Sequence, residues 1–262
     1  MKNRYKIIFV ILAVLLTAAL TVGCSKINTM ERIKKNGQVI MGTNAAFPPF
    51  EMRQGNEIVG IDAEIAKAVA DKLGVELKIE DMDFNALLSA LKSGKVDFIA
   101  AGYTVSPERE EEVDFSDKYF KAVQAIIVLK DNTSIKSRQD LNGKVIGAQE
   151  GTTGAELFRE NSPYKNVTLK TYNNGANAVL DLKNGRVDAV VLDNYTSMAL
   201  AELNPEIKIL DDPATDPEEY AIAVRKGDKE LLQTINDTLK ELKDSGKLDE
   251  IFKKYIPEYK AQ

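Results

Sequence analysis

The chain has 262 residues, a length that allows one large domain or two lobes of about 100 residues each. Hydrophobic residues make up 44% of it, as is usual for a globular protein. It contains neither His nor Trp, so His-activated nucleophiles and most transition-metal sites are excluded. The net charge is −5 and no block of Lys and Arg occurs, so a nucleic-acid ligand is not expected.

The beginning of the chain has the pattern of an export signal. Lys2, Arg4 and Lys6 precede an uncharged apolar run over 7–20, and small residues follow. Because this run is shorter than the roughly 20 residues of a membrane span, a signal peptide (1–23) is favoured over the alternative of a transmembrane anchor. Loss of its three positive charges would move the net charge from −5 to −8.

Cys24 is the only cysteine, which excludes a disulfide within the chain. Its position after Gly23 resembles a bacterial lipobox, although Leu20 lies one place further from the cysteine than that pattern prefers. The resemblance implies that Cys24 is lipidated and anchors the protein to the outer face of the cell membrane. Residues 24–36 are then a tether and the start of the first lobe.

Strand and helix patterns alternate over 39–101. Helices are expected to begin at the N-cap residues Asp62 and Asp83 and to end before Gly74 and Gly94. This alternation predicts parallel βαβ units. The strands expected here are 39–42, 75–79 and 96–101.

The second half of the chain repeats this organisation after a β-prone run at 122–129, which is interpreted as a first crossing between lobes. An Asp- and Pro-rich segment at 211–219 is interpreted as a return linker, before a strand at 220–225 and two helices. The elements expected between these crossings are strands 145–148, 167–172 and 187–192 and helices 154–159 and 176–183.

An internal repeat supports two similar lobes, because the sequence of 91–97 returns almost unchanged at 182–188. The sequence therefore predicts an α/β fold of two Rossmann-like lobes joined by two hinge strands, which would allow hinge closure. The alternative is one continuous doubly wound sheet. The predicted boundaries are 37–121 with 220–262 for a discontinuous lobe 1, and 122–219 for lobe 2.

Polar residues suited to a small ligand follow the predicted strands, where open α/β sheets bind ligands. Arg109 could grip a carboxylate through two parallel hydrogen bonds, or it could be a surface residue paired with 110–112. Asp193 could bind an ammonium group, cap a helix, or do both.

Two further patterns leave alternatives open. Thr152 and Thr153, between two glycines at a helix start, form either a small anion site or an ordinary N-cap; the Lys of a nucleotide P-loop is missing. Phe47 and Phe84 could be apolar walls of a site or part of the core. A calcium-like start at 81–85 lacks the required Gly and closing Glu, and neither a metal nor a cofactor is expected.

These features together resemble the polar amino-acid family of extracytoplasmic solute-binding proteins that serve ABC importers. The resemblance covers nearly the whole mature chain and implies the type II fold of periplasmic binding proteins. The motifs that carry it are Phe47-Pro48-Pro49-Phe50-Glu51, Gly60-Ile61-Asp62, Thr104-Val105-Ser106-Pro107-Glu108-Arg109, Asp114-Phe115-Ser116, Gly151-Thr152-Thr153, Val187-Asp188-Ala189 and Leu192-Asp193.

The resemblance implies roles for the main-chain end of an amino-acid ligand. Arg109, the hydroxyl and amide of Thr153 and the amide of Thr104 would bind the α-carboxylate. Asp193, the Gly102 carbonyl and the Thr104 hydroxyl would bind the α-ammonium. Gly102 replaces a Ser of some members, so only its backbone can contribute.

The resemblance also implies a side-chain pocket, in which Phe47 and Phe84 stack on the ligand. Asn44 matches a position that is often Asp in members binding cationic or amide side chains. An amide there lacks the charge that favours arginine or lysine. Gln149 and Gln124 are further candidates for this pocket, and Thr152 is a candidate ligand-binding residue. The expected ligand is therefore neutral and polar, such as glutamine or cystine, with arginine as a possible ligand.

The implied function is binding without chemistry, by a monomeric receptor that delivers the amino acid to an ABC permease. The alternatives are a dehydratase-like enzyme on the same scaffold and a ligand-sensing domain. A sensor is expected to continue into a membrane helix after residue 250, and this sequence shows none.

Overall fold

The computed structural model describes residues 28–159, 162–256 and 258–259. The predicted signal peptide and Cys24 lie outside the described residues. No helix within the described ranges has the length and apolar character needed to cross a membrane.

The first sheet has five strands in the order β5-β1-β6-β15-β7. Its first three strands run parallel and the last two pair antiparallel to their neighbours. Apolar residues at helical spacing in helix α2 (Ile61–Leu73) are buried, among them Ile65 and Val69, so this face anchors the helix in the core. The five strands are β1 (Gln38–Thr43), β5 (Glu76–Asp81), β6 (Phe98–Ile99), β7 (Val113–Phe115) and β15 (Ala223–Arg225).

The second sheet also has five strands, in the order β11-β10-β12-β9-β13. Its central strands are parallel, and two antiparallel strands complete it. Two separate sheets exclude the alternative of one continuous doubly wound sheet. The strands are β9 (Gln124–Leu129), β10 (Val145–Gln149), β11 (Thr168–Tyr172), β12 (Ala189–Asp193) and β13 (Ile207–Ile209).

The other elements flank or connect these sheets. Helix α1 (Thr29–Asn36) precedes β1, and a three-stranded ribbon follows it. The remaining bounds are β2 (Ala46–Phe47), β3 (Glu51–Gln54), β4 (Glu57–Val59), α3 (Leu87–Ser93), α4 (Pro107–Glu112), α5 (Thr153–Glu156), α6 (Gly175–Lys183), α7 (Asn194–Leu203), α8 (Lys229–Asp244) and α9 (Lys247–Tyr255), with 3-10 turns at Phe84–Ala86 and Arg138–Leu141.

Two strands form a separate ladder between the sheets. Strand β8 (Phe120–Ala122) pairs antiparallel with β14 (Glu218–Tyr220), and each leads into or out of one of the five-stranded sheets. The strand predicted at 220–225 is therefore broken, because β14 pairs with β8 whereas β15 pairs within the first sheet. Two strands that connect the lobes were predicted from the sequence, and β8 and β14 are such strands. The exact lobe boundaries remain a prediction.

Several predicted boundaries were wrong. Asp62 is not an N-cap, because α2 begins after Gly60 and the Asp62 carboxylate is used elsewhere. Asp83 precedes the 3-10 turn but makes no side-chain cap bond. The strand predicted at 96–101 is paired only at Phe98–Ile99, and the helix predicted at 154–159 is the single turn of α5.

The sequence repeat has a structural counterpart. Asp97 accepts a hydrogen bond from the amide of Ile40 at 2.9 Å, and Asp188 accepts one from the amide of Val145 at 2.8 Å. In both lobes the repeated Asp therefore accepts from an amide of the middle parallel strand, at the third residue of β1 and at the first residue of β10. The two sites differ in burial, since Asp97 is fully buried and Asp188 is exposed.

Asp97 also carries buried ion pairs. It pairs with Arg32 of α1, and its carboxylate lies 3.6 Å from the Arg225 guanidinium of β15. This cluster joins the first helix, the central strand and the returning strand of the first sheet. Removing one partner of such a cluster leaves buried charge without compensation.

We expect Asp97→Ala to lower the free energy of unfolding by about 3–5 kcal/mol, because it removes the buried carboxylate between Arg32 and Arg225 and leaves one strand amide without its acceptor. The matched change Asp188→Ala should cost only about 1 kcal/mol, since it removes a hydrogen bond at an exposed position. Urea denaturation of both variants measures the difference. Equal losses would contradict the assigned role of the buried cluster.

Candidate functional site

A small cavity lies between the two sheets, at the carboxyl ends of their parallel strands. Open α/β sheets bind their ligands at this edge. The residues lining the cavity are Phe47, Phe84, Gly102, Thr104, Arg109, Gln124, Gln149, Thr152, Thr153, Leu192, Asp193 and Tyr220. Nine of the ten predicted site residues are among them, and Asn44 is the exception; that any of them contacts a ligand remains a prediction.

Arg109 is held between the two lobes. It lies on α4, which begins at the N-cap Ser106 just past the first sheet. Its Nη1 donates to the Thr104 carbonyl and its Nη2 donates to the Gly151 carbonyl, both at 2.9 Å. Burial lowers the pKa of Arg109, but a guanidinium stays protonated in proteins. Both hydrogen bonds go to neutral carbonyls, so its positive charge is not cancelled.

The aromatic walls place apolar surface beside this cation. The Arg109 Cζ lies 4.1 Å from the Tyr103 ring centroid and 5.5 Å from that of Phe84. Phe47 is nearly buried and stacks on Phe50, with ring centroids 5.7 Å apart. Phe47 therefore belongs to both the core and the cavity wall, whereas Phe84 is half-buried.

Asp193 is both a helix cap and a cavity residue. Its Oδ1 accepts from the amides of Tyr195 and Thr196 at 2.9 and 3.2 Å, which caps α7. Its Oδ2 accepts from the hydroxyl of Tyr220. Burial raises the pKa of Asp193 to about 6, although these hydrogen bonds oppose the shift. The carboxylate thus faces the cavity with neutral partners only.

The turn at Gly102 is held by the buried carboxylate of Asp62, which lies beside a second buried acid, Glu51. Gly102 has φ +52°, and a Cβ there would lie 2.6 Å from the Phe47 ring. Its amide donates to Asp62 at 2.7 Å, and the hydroxyl of Tyr119 donates to the other carboxylate oxygen at 2.7 Å. Burial raises the pKa of Asp62 to about 6, and burial beside Asp62 raises the pKa of Glu51 well above its usual value. Asp62 therefore orients a cavity turn rather than capping its helix.

Asn44 and Gln149 connect the lobes at another side of the cavity. Asn44 donates to the Met82 carbonyl at 2.8 Å and accepts from Gln149 Nε2 at 2.9 Å. Gln149 also donates to the Asn173 carbonyl at 3.1 Å. Its Oε1 is buried and has no hydrogen-bond partner within the described residues. Asn44 is thus engaged with protein groups, and Gln149 offers an unsatisfied acceptor.

Thr152 and Thr153 differ in their roles. Thr152 caps α5 by accepting from the Ala155 amide at 3.3 Å, and it donates to the Gln149 carbonyl at 2.7 Å. The Thr153 hydroxyl donates to Glu218 at 2.8 Å. Because a hydroxyl has one proton, in this arrangement Thr153 has only its amide to offer a carboxylate.

Gln124, a candidate from the sequence, lines the cavity. Sequence reasoning missed three residues at or beside it. Leu192 and Tyr220 line it, and Glu218 was assigned to the linker although its carboxylate reaches the cavity threonines. No local signal marks Glu218 or Tyr220, because their place depends on the pairing of β8 with β14. No cluster of three or more metal-ligating side chains occurs in the ranges that the structure covers.

The chain belongs to the bacterial extracellular solute-binding proteins, family 3, whose family model matches residues 39–258. This confirms the family predicted from the sequence and, with the structural matches below, the type II fold of two α/β lobes. The family is extracellular, and the relatives of this chain include an arginine-binding extracellular protein and a glutamine-binding protein of an ABC transporter.

Two relatives and two solved structures illustrate the similarity. The arginine-binding extracellular protein ArtP of Bacillus subtilis (strain 168) is 38% identical over 96% of this chain and 98% of its own. The ABC transporter glutamine-binding protein GlnH of the same strain is 37% identical over 91% and 88%. A mutant of ArgBP from T. maritima has a TM-score of 0.82 at 42% identity, covering 88% of this chain and 100% of its own.

The other structure is the ancestral amino acid-binding protein AncCDT-1, described as a precursor of cyclohexadienyl dehydratase. It has a TM-score of 0.79 at 36% identity and covers 87% of this chain and 99% of its own. The same fold is therefore linked to an enzyme lineage as well as to receptors.

Because burial raises the pKa of Asp193 to about 6, its ionised form costs stability at neutral pH. The folded state binds the Asp193 proton more tightly than the unfolded state does. The contribution of Asp193 to the free energy of unfolding is therefore fully present below about pH 4 and is lost as the pH rises through about 6. We expect Asp193→Asn, which can still cap α7, to raise the free energy of unfolding at pH 7 by roughly 1–3 kcal/mol.

Thermal unfolding of the protein without added ligand, at pH 4, 5 and 7, tests this expectation. The advantage of the variant should shrink toward zero as the pH falls. A variant that is less stable than the parent at pH 7, or whose advantage does not change with pH, would argue against a buried ionised carboxylate.

Proposed function

We propose that this protein is a receptor that binds a polar L-amino acid between its lobes and delivers it to an ABC permease. The observation that carries the proposal is that Arg109 and Asp193, from different lobes, line one cavity with their charges uncancelled. An α-amino acid carries the two complementary charges. The amino-acid-binding relatives support the same ligand class.

The proposed pose uses both ends of the zwitterion. The carboxylate would accept from Arg109 and from the backbone amides of Thr104 and Thr153. The ammonium would donate to Asp193, to the Gly102 carbonyl and to the Thr104 hydroxyl. Charge-assisted hydrogen bonds in a partly desolvated cavity are about twice as strong as neutral ones, so both ends contribute to affinity.

We infer that the ligand side chain ends in an N–H donor. The buried Oε1 of Gln149 needs a donor, and an unsatisfied acceptor costs about 1–3 kcal/mol. A guanidinium or an amide could supply it, whereas the carboxylate of glutamate could not. Arginine was ranked behind glutamine and cystine because the amide of Asn44 carries no negative charge. Glu218 supplies a negative charge near the cavity, so this reason no longer applies. The names of ArtP and GlnH agree with arginine and glutamine as candidates.

The proposed mechanism is hinge closure without chemistry. Arg109 bonded to Gly151, and Asn44 bonded to Gln149, hold the lobes together across the cavity. A ligand that bridges the same surfaces would bind the closed arrangement more tightly than an open one and shift the population toward it. A permease would then recognise the closed monomer.

A cleft enzyme is the second candidate, because AncCDT-1 connects this fold to a dehydratase. The buried acids near the cavity, Asp62 and Asp193, have the raised pKa values that proton donors use. Incubation with amino acids separates the two: loss of the amino acid favours the enzyme, and recovery of it unchanged favours the receptor.

A thermal-shift screen of the amino acids and cystine tests the proposal. At about 100 times its Kd, a ligand adds about 2.7 kcal/mol, which should raise the Tm by roughly 5–10 °C in a chain of this size. Arginine or glutamine should stabilise the protein most, and glutamate and aspartate least. The absence of stabilisation by any amino acid would refute the proposal.

Two variants serve as a matched pair in that screen. Arg109→Ala should weaken binding by more than about 100-fold, because it removes the only cation that lines the cavity within the described part of the chain. Arg53→Ala removes an exposed guanidinium that pairs with Asp81 on the surface and should bind normally. Both should retain the parental circular dichroism spectrum.

We also propose that the protein is anchored at the cell surface through a lipid on Cys24. The signal-peptide pattern and the lipobox resemblance support this proposal, as does membership of an extracellular family. We expect Cys24→Ser, expressed in a Gram-positive host, to move the protein from the membrane fraction into the medium. Retention in the membrane fraction would contradict the anchor.

A further inference from the structure

Glu218 is the residue on strand β14 that joins the site to the linking strands. Its Oε2 accepts from the Thr153 hydroxyl at 2.8 Å, from Gln124 Nε2 at 3.2 Å and from the Thr104 hydroxyl at 3.3 Å. Thr104 follows strand β6 of the first sheet, whereas Gln124 begins β9 of the second sheet and Thr153 begins α5, which follows β10 of that sheet. One carboxylate oxygen is therefore a common acceptor for groups from both lobes.

This arrangement fixes what the two hydroxyls can offer. A hydroxyl group has one proton and two lone pairs, so a Thr that donates to Glu218 can only accept from any further partner. The Thr104 hydroxyl lines the cavity and is left as an acceptor there. The Thr153 hydroxyl already accepts from Gln124 at 3.3 Å. An acceptor at Thr104 suits an ammonium group and does not suit a carboxylate.

Glu218 also adds charge next to the residues proposed to bind the ligand. Its charge acts on the Asp193 carboxylate and on the Arg109 guanidinium. Near Asp193 it increases the negative potential that attracts a cation, an effect that is strong in a partly desolvated site.

We propose that Glu218 is a positioning residue for the α-ammonium of the ligand. It accepts the hydrogen bond that the Thr104 hydroxyl donates, so that this oxygen is free to accept from the ammonium. It also adds a second negative charge beside Asp193. This inference rests on the proposed amino-acid receptor function. The same carboxylate also accepts from the Thr153 hydroxyl. The orientation of the Thr104 hydroxyl is therefore coupled to contact between the lobes.

The neighbouring residue provides a matched control. Glu219 lies on the same strand, pairs with Lys118 and does not line the cavity. Glu218→Gln and Glu219→Gln each remove one negative charge without changing shape, so only their contacts differ. In titration calorimetry with L-arginine and L-glutamine, Glu218→Gln should weaken binding about 10- to 100-fold. Glu219→Gln should stay within about twofold of the parent.

A ligand without the ammonium separates positioning from a structural effect. 5-Guanidinopentanoic acid is arginine without its α-amino group, and its affinity can be measured by competition with L-arginine. Glu218→Gln should change its affinity by less than about threefold, because the proposed interaction is absent.

Three results would overturn the inference. Equal losses for arginine and for its deaminated analogue would indicate a structural role. Unchanged or tighter binding of arginine by Glu218→Gln would mean that Glu218 is neutral or competes with the ligand. A parent protein that binds no amino acid would instead refute the receptor function itself, and the inference with it.

Discussion

The site depends on a buried cation and a buried carboxylate that share one cavity and are each bonded only to neutral partners. Arg109 donates to two backbone carbonyls, and Asp193 accepts from backbone amides and a tyrosine hydroxyl. Such partners hold each group in place without cancelling its charge. A molecule with opposite charges that enters the cavity would therefore offset part of the cost of desolvating both groups.

The fold supplies this arrangement through duplication. In each lobe the repeated Asp binds an amide of the middle parallel strand, and the carboxyl ends of the parallel strands reach the cavity. The Arg follows the first sheet and the acid ends a strand of the second, so the charges meet only because the lobes face each other. The linking strands β8 and β14 set that relation and bring Glu218 to the same place.

Local sequence patterns predicted much of the fold and several residues of the candidate site. The repeat predicted two lobes, and the position of Arg109 and Asp193 after buried strands predicted a shared edge. The same local rules were wrong for Asp62, because a partner 40 residues away, the Gly102 amide, outweighs a helix cap. They also failed for Glu218 and Tyr220, whose roles depend on pairing between β8 and β14. Strand pairing across about 100 residues leaves no local pattern to read.

The most direct test is a crystal structure of the protein with L-arginine. The account predicts the α-carboxylate within hydrogen-bond distance of the Arg109 guanidinium and the α-ammonium within hydrogen-bond distance of Asp193, in the same cavity. A ligand bound elsewhere, or one that lies in this cavity with its main-chain end away from both residues, would contradict it.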